Sequence, residues 1–315
     1  MIDLTIRSAL LAHLSDLGPG DRIAVGLSGG ADSVALVRAA VHVGQELSLS
    51  VTAIVIDHQL QKSSHDVATR AVVMASELGC TQVVMIPVDV QSGPGSGGLE
   101  SAARDARRTA FEFFAQNNDI KAVLLGHTRD DQAETVLLGL ARGSGARSLS
   151  GMRSIDGLYR RPLLALSREQ VRATVHDLDI YEDPHNSETR FARVRVRESS
   201  LPTLERDLGP GVAAALARTA DMLREDADAL DVLAHKSSSD GIEELAALLP
   251  AVRYRVLREL AISQGANQND LTRDHVLAID ALITNWHGQG PLNLPGSLNC
   301  ERQGGKLMFY RTHKE

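Results

Sequence analysis

Residues 22–33 read RIAVGLSGGADS, and this stretch decides the fold. The first six residues are apolar enough for a buried strand, and two adjacent glycines follow before a helical pattern begins. Glycine permits the sharp turn and the close backbone approach that an anion needs. The free N–H groups at the start of the helix then point at the anion, and the helix dipole adds to the attraction. We therefore predict a phosphate-binding loop over residues 28–33.

Asp32 is unexpected in such a loop, because a carboxylate repels a phosphate. A bound cation such as Mg²⁺ would remove this conflict. The alternative interpretation is an ordinary Gly-Gly turn in which Asp32 or Ser33 caps the helix. The loop does not belong to the GxxxxGKS/T class of phosphate loops, since no lysine follows the glycines.

Strand and helix patterns alternate through the first 150 residues. Apolar runs predict strands at 22–27, 51–56, 83–88 and 122–125. Amphipathic segments predict helices at 3–16, 32–46, 64–79, 99–117 and 131–141. This alternation is typical of βαβ units and a parallel sheet, which binds ligands beyond the carboxyl ends of its strands. We predict an α/β fold whose parallel-sheet domain covers residues 1–208.

The pattern changes beyond residue 150. Helices are expected at about 167–178, 194–205, 212–235, 242–264 and 272–286, followed by two short strands around a turn. Gly209-Pro210-Gly211 is the best candidate for a linker. We therefore predict a smaller, mainly helical C-terminal domain over residues 209–315 that ends in a β-hairpin.

The composition limits the classes of function. A net charge of −7 argues against a protein that coats nucleic acid, and 3% aromatic residues argue against binding dominated by base stacking. Cys80 and Cys300 form no CxxC pair, which disfavours a cysteine zinc site and suits a reducing compartment. Since no apolar run approaches the roughly 18 residues of a membrane span, we expect a cytoplasmic protein without a membrane partner.

Two other predicted strands also end in polar residues. The second strand runs into Asp57-His58, and the fourth runs into Gly126-His127. Both pairs are well placed to contact a nucleotide at the carboxyl edge of the sheet. The alternative for the first pair is a capping aspartate beside a solvated histidine.

An acidic cluster follows the fourth strand. Asp131 and Glu134 are three residues apart, so they share a helix face, and Asp130 adjoins them. Such a cluster binds a cation, either Mg²⁺ or an amine. The alternative is acidic residues in the first turn of a helix that face water. That alternative accounts for one acid more easily than for three.

A basic segment comes next. Between residues 142 and 172, seven arginines stand against Asp156 and Glu169, a local balance of 7 − 2 = +5. The glycines of residues 143–151 predict a mobile loop, and the arginines predict a phosphate-rich partner. A solvated basic face is the alternative interpretation.

In combination, these motifs resemble those of the tRNA(Ile)-lysidine synthases. SGGADS is similar to the SGGxDS fingerprint of the PP-loop ATP pyrophosphatases, the superfamily that contains them. Six further segments resemble the family pattern: DHQLQ (57–61), ESAARDAR (100–107), GHTRDDQAET (126–135), RGSGARSLSGM (142–152), RPLL (161–164) and DPHNSETRFARVRVR (183–197). The resemblance is dense over residues 20–205. Gln61, Arg108, Thr128 and Val194 stand where the family pattern has arginine, tyrosine, histidine and asparagine.

The resemblance implies a ligation in two steps on the CAU anticodon of tRNA(Ile). ATP adenylates the oxygen on carbon 2 of the wobble cytidine and releases pyrophosphate, and the ε-amine of L-lysine then displaces AMP. The product, lysidine, changes codon reading from AUG to AUA and the amino acid from Met to Ile. ATP, Mg²⁺, L-lysine and tRNA(Ile) are the implied ligands, and a homodimer is one option for the assembly.

The resemblance also implies roles for single residues. ATP binding is assigned to Ser28, Gly29, Gly30, Ala31, Asp32, Ser33, Asp57, His58, Gly126 and His127, with Asp32 acting through Mg²⁺. Lysine, or a second cation, is assigned to Asp130, Asp131 and Glu134. Together with Asp32 and Arg104 these acids form the predicted catalytic set. Contacts with tRNA are assigned to Arg142, Arg147, Arg193, Arg195 and Arg197.

Two other functions remain open. A tRNA thiolase of the same superfamily would need sulfur-carrying cysteines, and Cys80 and Cys300 lie outside every motif. A non-catalytic nucleotide-binding module would bind ATP without releasing pyrophosphate. A formal GxGxxG match at residues 93–98 is interpreted as a Pro/Ser/Gly-rich connector, since a dinucleotide fingerprint needs a tight strand-to-helix turn.

Overall fold

The computed structural model describes residues 3–59, 64–90, 99–143, 145–180 and 190–311. The chain forms two compact units, Met1–Asp221 and Met222–Glu315. The GxGxxG match at 93–98, Gln61 and residues 183–187 of the family segment lie outside the described residues. No helix within the described ranges is long and apolar enough to span a bilayer.

The first unit is built on a six-stranded sheet with the strand order β3-β2-β1-β4-β6-β5. Its strands are β1 (Arg22–Leu27), β2 (Ser50–Asp57), β3 (Gln82–Pro87), β4 (Ile120–Leu124), β5 (Ile155–Asp156) and β6 (Tyr159–Arg160). All neighbouring pairs are parallel except β5 and β6, which form a two-residue antiparallel pair at the edge. The predicted α/β fold with a parallel sheet is confirmed, and the short β5 and β6 were missed because two residues carry no periodic pattern.

Apolar side chains alternate between the two faces of the sheet. On β1, Ile23 and Val25 pack into one core, whereas Ala24 packs into a second core with Phe111. A strand covered on both faces reads as a continuous apolar run, which is why RIAVGL was recognisable as a buried parallel strand. The larger core includes side chains of the first three helices, and the smaller core includes Ala115 of the fourth.

The helices of the first unit lie before, between and after its strands along the chain. They are α1 (Leu4–Leu14), α2 (Ala31–Leu47), α3 (Ser64–Glu77), α4 (Leu99–Asn117), α5 (Arg129–Ala141), α6 (Ala146–Leu149), α7 (Arg168–Ala173), α8 (Ala192–Arg195) and α9 (Leu201–Leu208). A longer helix, α10 (Val212–Lys236), contains the division between the units. The predicted boundary at 208/209 lies at the end of α9, ahead of this division, and it stays a prediction.

Two helices differ from their predicted extents. The predicted helix at 194–205 consists of α8, a π-helical turn at Val196–Ser200 and α9. Pro202 has no amide N–H, so a regular α-helical hydrogen-bond ladder cannot run through this point. The predicted helix at 167–178 ends at Ala173, and the chain continues in turns with hydrogen bonds such as Val175 N–H to the Arg172 carbonyl.

The second unit packs helices on a small antiparallel sheet. Beyond α10 it contains α11 (Ile242–Ala247), α12 (Pro250–Ser263), α13 (Arg273–Thr284), β7 (Leu292–Leu294), β8 (Leu298–Gln303) and β9 (Lys306–Arg311). Where two strands around a turn were predicted, the described residues form three, with β8 paired to both β7 and β9. Pro250 divides the predicted helix at 242–264 in two, because the residues before it are extended.

Glu205 holds the chain between α9 and α10. Its carboxylate accepts hydrogen bonds from the backbone N–H groups of Gly211 at 2.6 Å and Ala213 at 2.8 Å. These bonds lower the pKa of Glu205 below its usual value of 4.5. The segment Gly209-Pro210-Gly211, predicted as a linker, is therefore fixed at the start of α10 by an ionised side chain.

Replacing Glu205 by glutamine should destabilise this junction in a pH-dependent way. Because folding lowers the pKa, the stabilisation is present above the unfolded pKa and is lost as the pH falls through the folded pKa. We expect Glu205→Gln to lower the free energy of unfolding by about 0.5 kcal/mol near neutral pH, since the group is solvent-screened. Urea unfolding should show this difference near pH 7 and a smaller one near pH 3.5. An equal difference at both pH values would contradict the role.

Candidate functional site

The phosphate loop has the backbone that its glycines predict. Gly29 has a φ of 85°, in the left-handed region that favours glycine, and Gly30 caps α2 in an extended conformation. The Ser33 hydroxyl donates to the Gly30 carbonyl at 2.8 Å and accepts from the Ser28 N–H at 3.2 Å. These bonds shape the loop around the N-terminus of α2, whose first amides lack partners inside the helix.

Gly126 brings the end of β4 against this loop. A Cβ at this position would lie 3.0 Å from the Asp32 carbonyl oxygen and 3.2 Å from the Ser33 Cα. Only glycine therefore permits this approach between the two backbones. The contact places the Gly126-His127 segment beside the phosphate loop, as the sequence predicted for two neighbouring strand ends.

Asp131 and Glu134 are buried on α5, with 8% and 0% of their surfaces exposed. Thr128 caps α5: its N–H and its hydroxyl both donate to the Asp131 Oδ2, at 2.7 and 2.9 Å. Thr128 is one of the departures from the family pattern, and it serves here as the helix cap. The alternative interpretation, in which these acids face water, is therefore wrong for Asp131 and Glu134.

Arg168 joins the acidic cluster to the phosphate loop. Its Nη2 lies 2.9 Å from the Asp131 Oδ1 and 3.0 Å from the Glu134 Oε1, and its Nε lies 3.5 Å from the Asp32 Oδ2. Sequence reasoning missed this residue and counted it only in the basic segment. The sequence did contain a signal for such a residue. Buried carboxylates require buried cations, and Arg129 is the single lysine or arginine next to these acids in the sequence, so a further cation had to come from another segment.

Asp130 has a different task from its two neighbours. Its Oδ2 accepts the backbone N–H of Arg168 at 2.8 Å, at the first residue of α7. The Arg129 N–H also donates to the Leu166 carbonyl at 2.8 Å, so the start of α5 is bonded to the start of α7. Asp130 thus positions the backbone of Arg168.

Two of the arginines predicted to contact tRNA face the acidic cluster. The Arg197 Nε lies 2.8 Å from the Glu134 Oε1, and the Arg193 Nε lies 3.6 Å from the Glu134 Oε2. The Arg193 Nη2 also donates to the Thr135 hydroxyl at 2.8 Å. Arg142, Arg147 and Arg195 are exposed. Arg147 lies on α6, a short helix inside the predicted mobile loop.

The surroundings shift the pKa values of Asp32 and Asp131 in opposite directions. Burial raises the pKa of Asp32, with Arg168 opposing that effect. Burial also acts on Asp131, but Arg168 and the Thr128 amide outweigh it and hold the pKa of Asp131 below its usual value. Asp131 is therefore stabilised as an anion, whereas burial opposes the charge of Asp32 and a nearby cation would favour it.

Asp32 fits a magnesium ion held jointly with phosphates. Its Oδ1 is buried and makes no hydrogen bond within the described residues. Mg²⁺ commonly uses one or two carboxylates and completes its shell with phosphate oxygens and water. The described part of the chain contains no group of three or more His, Cys, Asp or Glu side chains arranged to hold a metal. The donor set thus suits Mg²⁺ that arrives with a nucleotide.

Both predicted histidines are neutral. Burial lowers the pKa of His127 to about 3, and burial together with Arg107 lowers the pKa of His58. The Nδ1 atoms of both rings are buried without a hydrogen-bond partner among the described residues. By contrast, Asp57 bonds within its own loop, to the Gln59 N–H at 3.0 Å and to His65 at 3.4 Å.

A second group of arginines lies near His127. Arg104 is exposed on α4. Burial lowers the pKa of both Arg107 and Arg161, and the charge of Arg104 lowers both pKa values further. Arg161 is 6% exposed and donates to the Arg153 carbonyl at 2.7 Å. Sequence reasoning selected Arg104 but not Arg107 or Arg161. Together they form a positive region that suits an anionic ligand.

Comparison with known proteins identifies the family. The PP-loop domain model matches residues 4–204, and the model described as TilS substrate binding domain matches residues 242–308. A tRNA(Ile)-lysidine synthase of Streptomyces coelicolor is 46% identical over 300 residues, covering 91% of this chain and 84% of that protein. The chain belongs to the tRNA(Ile)-lysidine synthase family. The tRNA(Ile)-lysidine synthases of Leifsonia xyli (47% identity; 93% of this chain, 91% of that protein) and Thermobifida fusca (43%; 96% of each) agree with this assignment.

The resemblance found in the motifs is thereby confirmed. Among solved structures, a U34-tRNA thiolase from Methanococcus maripaludis is similar, with a TM-score of 0.58, 18% identity, and coverage of 70% of this chain and 78% of that one. At this identity the likeness shows the fold alone. In the present chain, burial raises the pKa of Cys80 to about 11 and that of Cys300 to about 12, so neither thiol is activated as a nucleophile.

The contact at Gly126 predicts a specific loss of nucleotide chemistry. In Gly126→Ala the new methyl group meets backbone atoms of Asp32 and Ser33, so the phosphate loop has to shift. We expect pyrophosphate release to fall by at least about 10-fold, which corresponds to about 1.4 kcal/mol of lost transition-state stabilisation.

Gly18→Ala is the matched control, because the atom nearest to its added Cβ is 4.0 Å away. This variant should release pyrophosphate at the wild-type rate. A Gly126→Ala protein that binds ATP and releases pyrophosphate normally would show that the two backbones need not be so close.

Proposed function

We propose that this site attaches L-lysine to carbon 2 of the wobble cytidine in the CAU anticodon of tRNA(Ile), with ATP as the activating co-substrate. The observation that carries the proposal is the Arg168 bridge, since one guanidinium lies within 3.5 Å of Asp32 in the phosphate loop and of Asp131 and Glu134 on α5. A nucleotide site and a candidate amine site are thus adjacent. That adjacency is what a ligase needs in order to pass an activated group to an amine.

In the first step, the oxygen on carbon 2 of the cytidine attacks the α-phosphorus of ATP. The bond between that phosphorus and the bridging oxygen breaks, and pyrophosphate leaves. Ser28, Gly29, Gly30, Ala31 and Ser33 would hold the leaving pyrophosphate through backbone amides, hydroxyl groups and the dipole of α2. Mg²⁺ held by Asp32 would neutralise charge on the leaving group.

The second arginine group would act around the α-phosphate. Arg107 and Arg161 lie near the neutral His127, and Arg104 lies near both arginines. The three would supply positive charge where the adenylated base forms. His127 and His58 each retain an imidazole nitrogen for a hydrogen bond with the nucleotide. Asp57 would order the loop that presents His58.

In the second step, the ε-amine of lysine attacks carbon 2, and AMP departs with the oxygen. The amine arrives as an ammonium ion and must lose a proton before it attacks. Asp131 and Glu134 would attract the ammonium ion, and Asp130 would act indirectly through the backbone of Arg168. The lowered pKa of Asp131 keeps it ionised, which suits binding of a cation.

The tRNA contacts would be shared by both units. Arg142, Arg147 and Arg195 are exposed and suited to phosphates, whereas Arg193 and Arg197 would chiefly hold the acidic cluster. The second unit, which contains the match to the substrate binding domain, would hold other parts of the tRNA. The wobble base has to leave its stack, as single-stranded loops readily permit. The homodimer and the cytoplasmic location stay predictions.

Incubation with ATP, radiolabelled lysine and a tRNA(Ile) transcript tests the function directly. We expect label in the RNA and release of AMP and pyrophosphate in equal amounts. A transcript with uridine at the wobble position should remain unlabelled. Hydrolysis of ATP without label in any RNA would contradict the proposal.

The role of Asp32 predicts a defect in the first step. Asp32→Asn should lower the rate of pyrophosphate release by at least about 100-fold, a magnitude typical for loss of one electrostatic contact to the transition state. Asp66→Asn, which removes an exposed acid from the first turn of α3, should leave the rate unchanged. A normal rate in Asp32→Asn would remove this residue from the nucleotide site.

The role of Glu134 predicts a defect in the second step. Glu134→Gln should raise the KM for lysine by at least about 10-fold, because a charge-assisted contact is lost. Pyrophosphate release with ATP and tRNA in the absence of lysine should change much less. Glu169→Gln, an exposed position on α7, is the control. An unchanged KM for lysine would place the amine elsewhere.

A further inference from the structure

The acidic cluster is already neutralised by this chain's own arginines. The carboxylates of Asp32, Asp131 and Glu134 lie within 4 Å of four guanidinium groups, those of Arg168, Arg172, Arg193 and Arg197, a formal balance of 4 − 3 = +1. An ammonium ion that entered this arrangement would add positive charge to a group that is already positive. One arginine therefore has to give up its place before lysine binds.

Arg168 differs from Arg193 and Arg197 in that it also contacts the phosphate loop, where its Nε lies 3.5 Å from the Asp32 Oδ2. One nitrogen, Nη2, is shared between Asp131 and Glu134, and Nε makes no hydrogen bond within the described residues. Arg197 instead holds Glu134 through two nitrogens, with its Nε at 2.8 Å and its Nη2 at 3.2 Å. Arg193 is bonded to Thr135 as well. Movement of the Arg168 side chain onto phosphates at the loop therefore gives up only the hydrogen bonds of one nitrogen to the acids.

The backbone of Arg168 is held by contacts that do not involve its side chain. Ser167 and Gln170 form a capping box at the start of α7, and Asp130 accepts the Arg168 N–H. A guanidinium on a fixed Cα can swing between two sets of partners without moving the helix. Glu134 sits on one side of it, and Asp32, inside the phosphate loop, sits on the other.

The triphosphate supplies the second set of partners. Phosphates bound at the loop would bring several negative charges to the side of Arg168 that faces Asp32. Arginine recognises phosphate oxygens through two parallel N–H bonds, and such charge-assisted bonds are about twice as strong as neutral ones. A nucleotide therefore competes with Asp131 and Glu134 for the same guanidinium.

We propose that Arg168 occupies the ammonium position between Asp131 and Glu134 in the free enzyme and moves onto the nucleotide phosphates when ATP binds. Lysine then enters the vacated position, so lysine binding depends on prior nucleotide binding. Arg168 is a positioning residue in this scheme, and it prevents lysine from filling the site of an enzyme that has no nucleotide. The inference rests on the proposed function, because it takes the acidic cluster as the amine site.

Equilibrium dialysis of radiolabelled lysine against the full chain tests this coupling. Lysine affinity is measured with and without α,β-methylene-ATP, an analogue that cannot be cleaved between the α and β phosphates. For the wild type we expect the analogue to tighten lysine binding by at least about 10-fold, within the usual range of coupling between two sites. In Arg168→Gln, lysine should bind the nucleotide-free enzyme more tightly than it binds the nucleotide-free wild type. The ratio of lysine affinity with the analogue to lysine affinity without it should fall below about 2-fold.

Two further variants guard against a purely structural effect. Arg168→Lys retains a cation with a single donor group, and it should show a ratio between those of the wild type and Arg168→Gln. Arg7→Gln removes an arginine of α1 that is paired with Glu46 of α2, and this variant should keep the wild-type ratio. If Arg168→Gln does not fold, Arg168→Lys alone decides the question, since a wild-type ratio in that variant would overturn the proposal.

The remaining outcomes separate this inference from the proposed function. The same preparations are assayed for lysine transfer to tRNA(Ile) at saturating lysine. Transfer by the wild type together with an unchanged ratio in Arg168→Gln would overturn the role of Arg168 and leave the function intact. No transfer by the wild type would overturn the function itself. An equal lysine affinity of the wild type with and without the analogue would also refute the coupling.

Discussion

The site depends on one constraint, which is that carboxylates buried at the edge of the sheet need buried cations. Glu134 is fully buried, and an unpaired carboxylate there would cost several kcal/mol. Arg168, from a helix 34 residues further along the chain, meets that need. The bond from Asp130 to the Arg168 backbone and the cap of Thr128 on Asp131 hold the partners in register. Local charge balance thus ties α5, α7 and the phosphate loop into one unit.

The sheet topology explains why these elements meet. β1 and β4 are neighbours in the sheet although they are distant in sequence, so the loop after β1 and the segment after β4 emerge side by side. Gly126 lets the two backbones approach closely. The proposed reaction needs a nucleotide site next to an amine site. A parallel sheet provides that juxtaposition at the point where its connections diverge.

Much of this arrangement was predictable from local patterns. The phosphate loop, the parallel sheet and the acidic cluster each lie in a continuous stretch with its own periodicity or glycine signal. Arg168 was not predictable in the same way, because its role comes from contacts across tertiary structure. Arg193 and Arg197 were assigned to tRNA because a run of arginines predicts a phosphate partner, yet both turn toward Glu134. The helix breaks at Pro202 and Pro250 could have been predicted from the sequence, because proline lacks the N–H that a continuous helix requires.

In the proposed reaction, one site first adenylates the RNA and then discharges the adenylate with an amine. A single-turnover experiment tests this most directly, with ATP labelled with ³²P at the α-phosphate, tRNA(Ile) and no lysine. Label should accumulate in the RNA in an amount equal to the enzyme sites, and added lysine should then release it as AMP. Labelled AMP that forms without passing through the RNA, or RNA label that lysine does not discharge, would contradict the account.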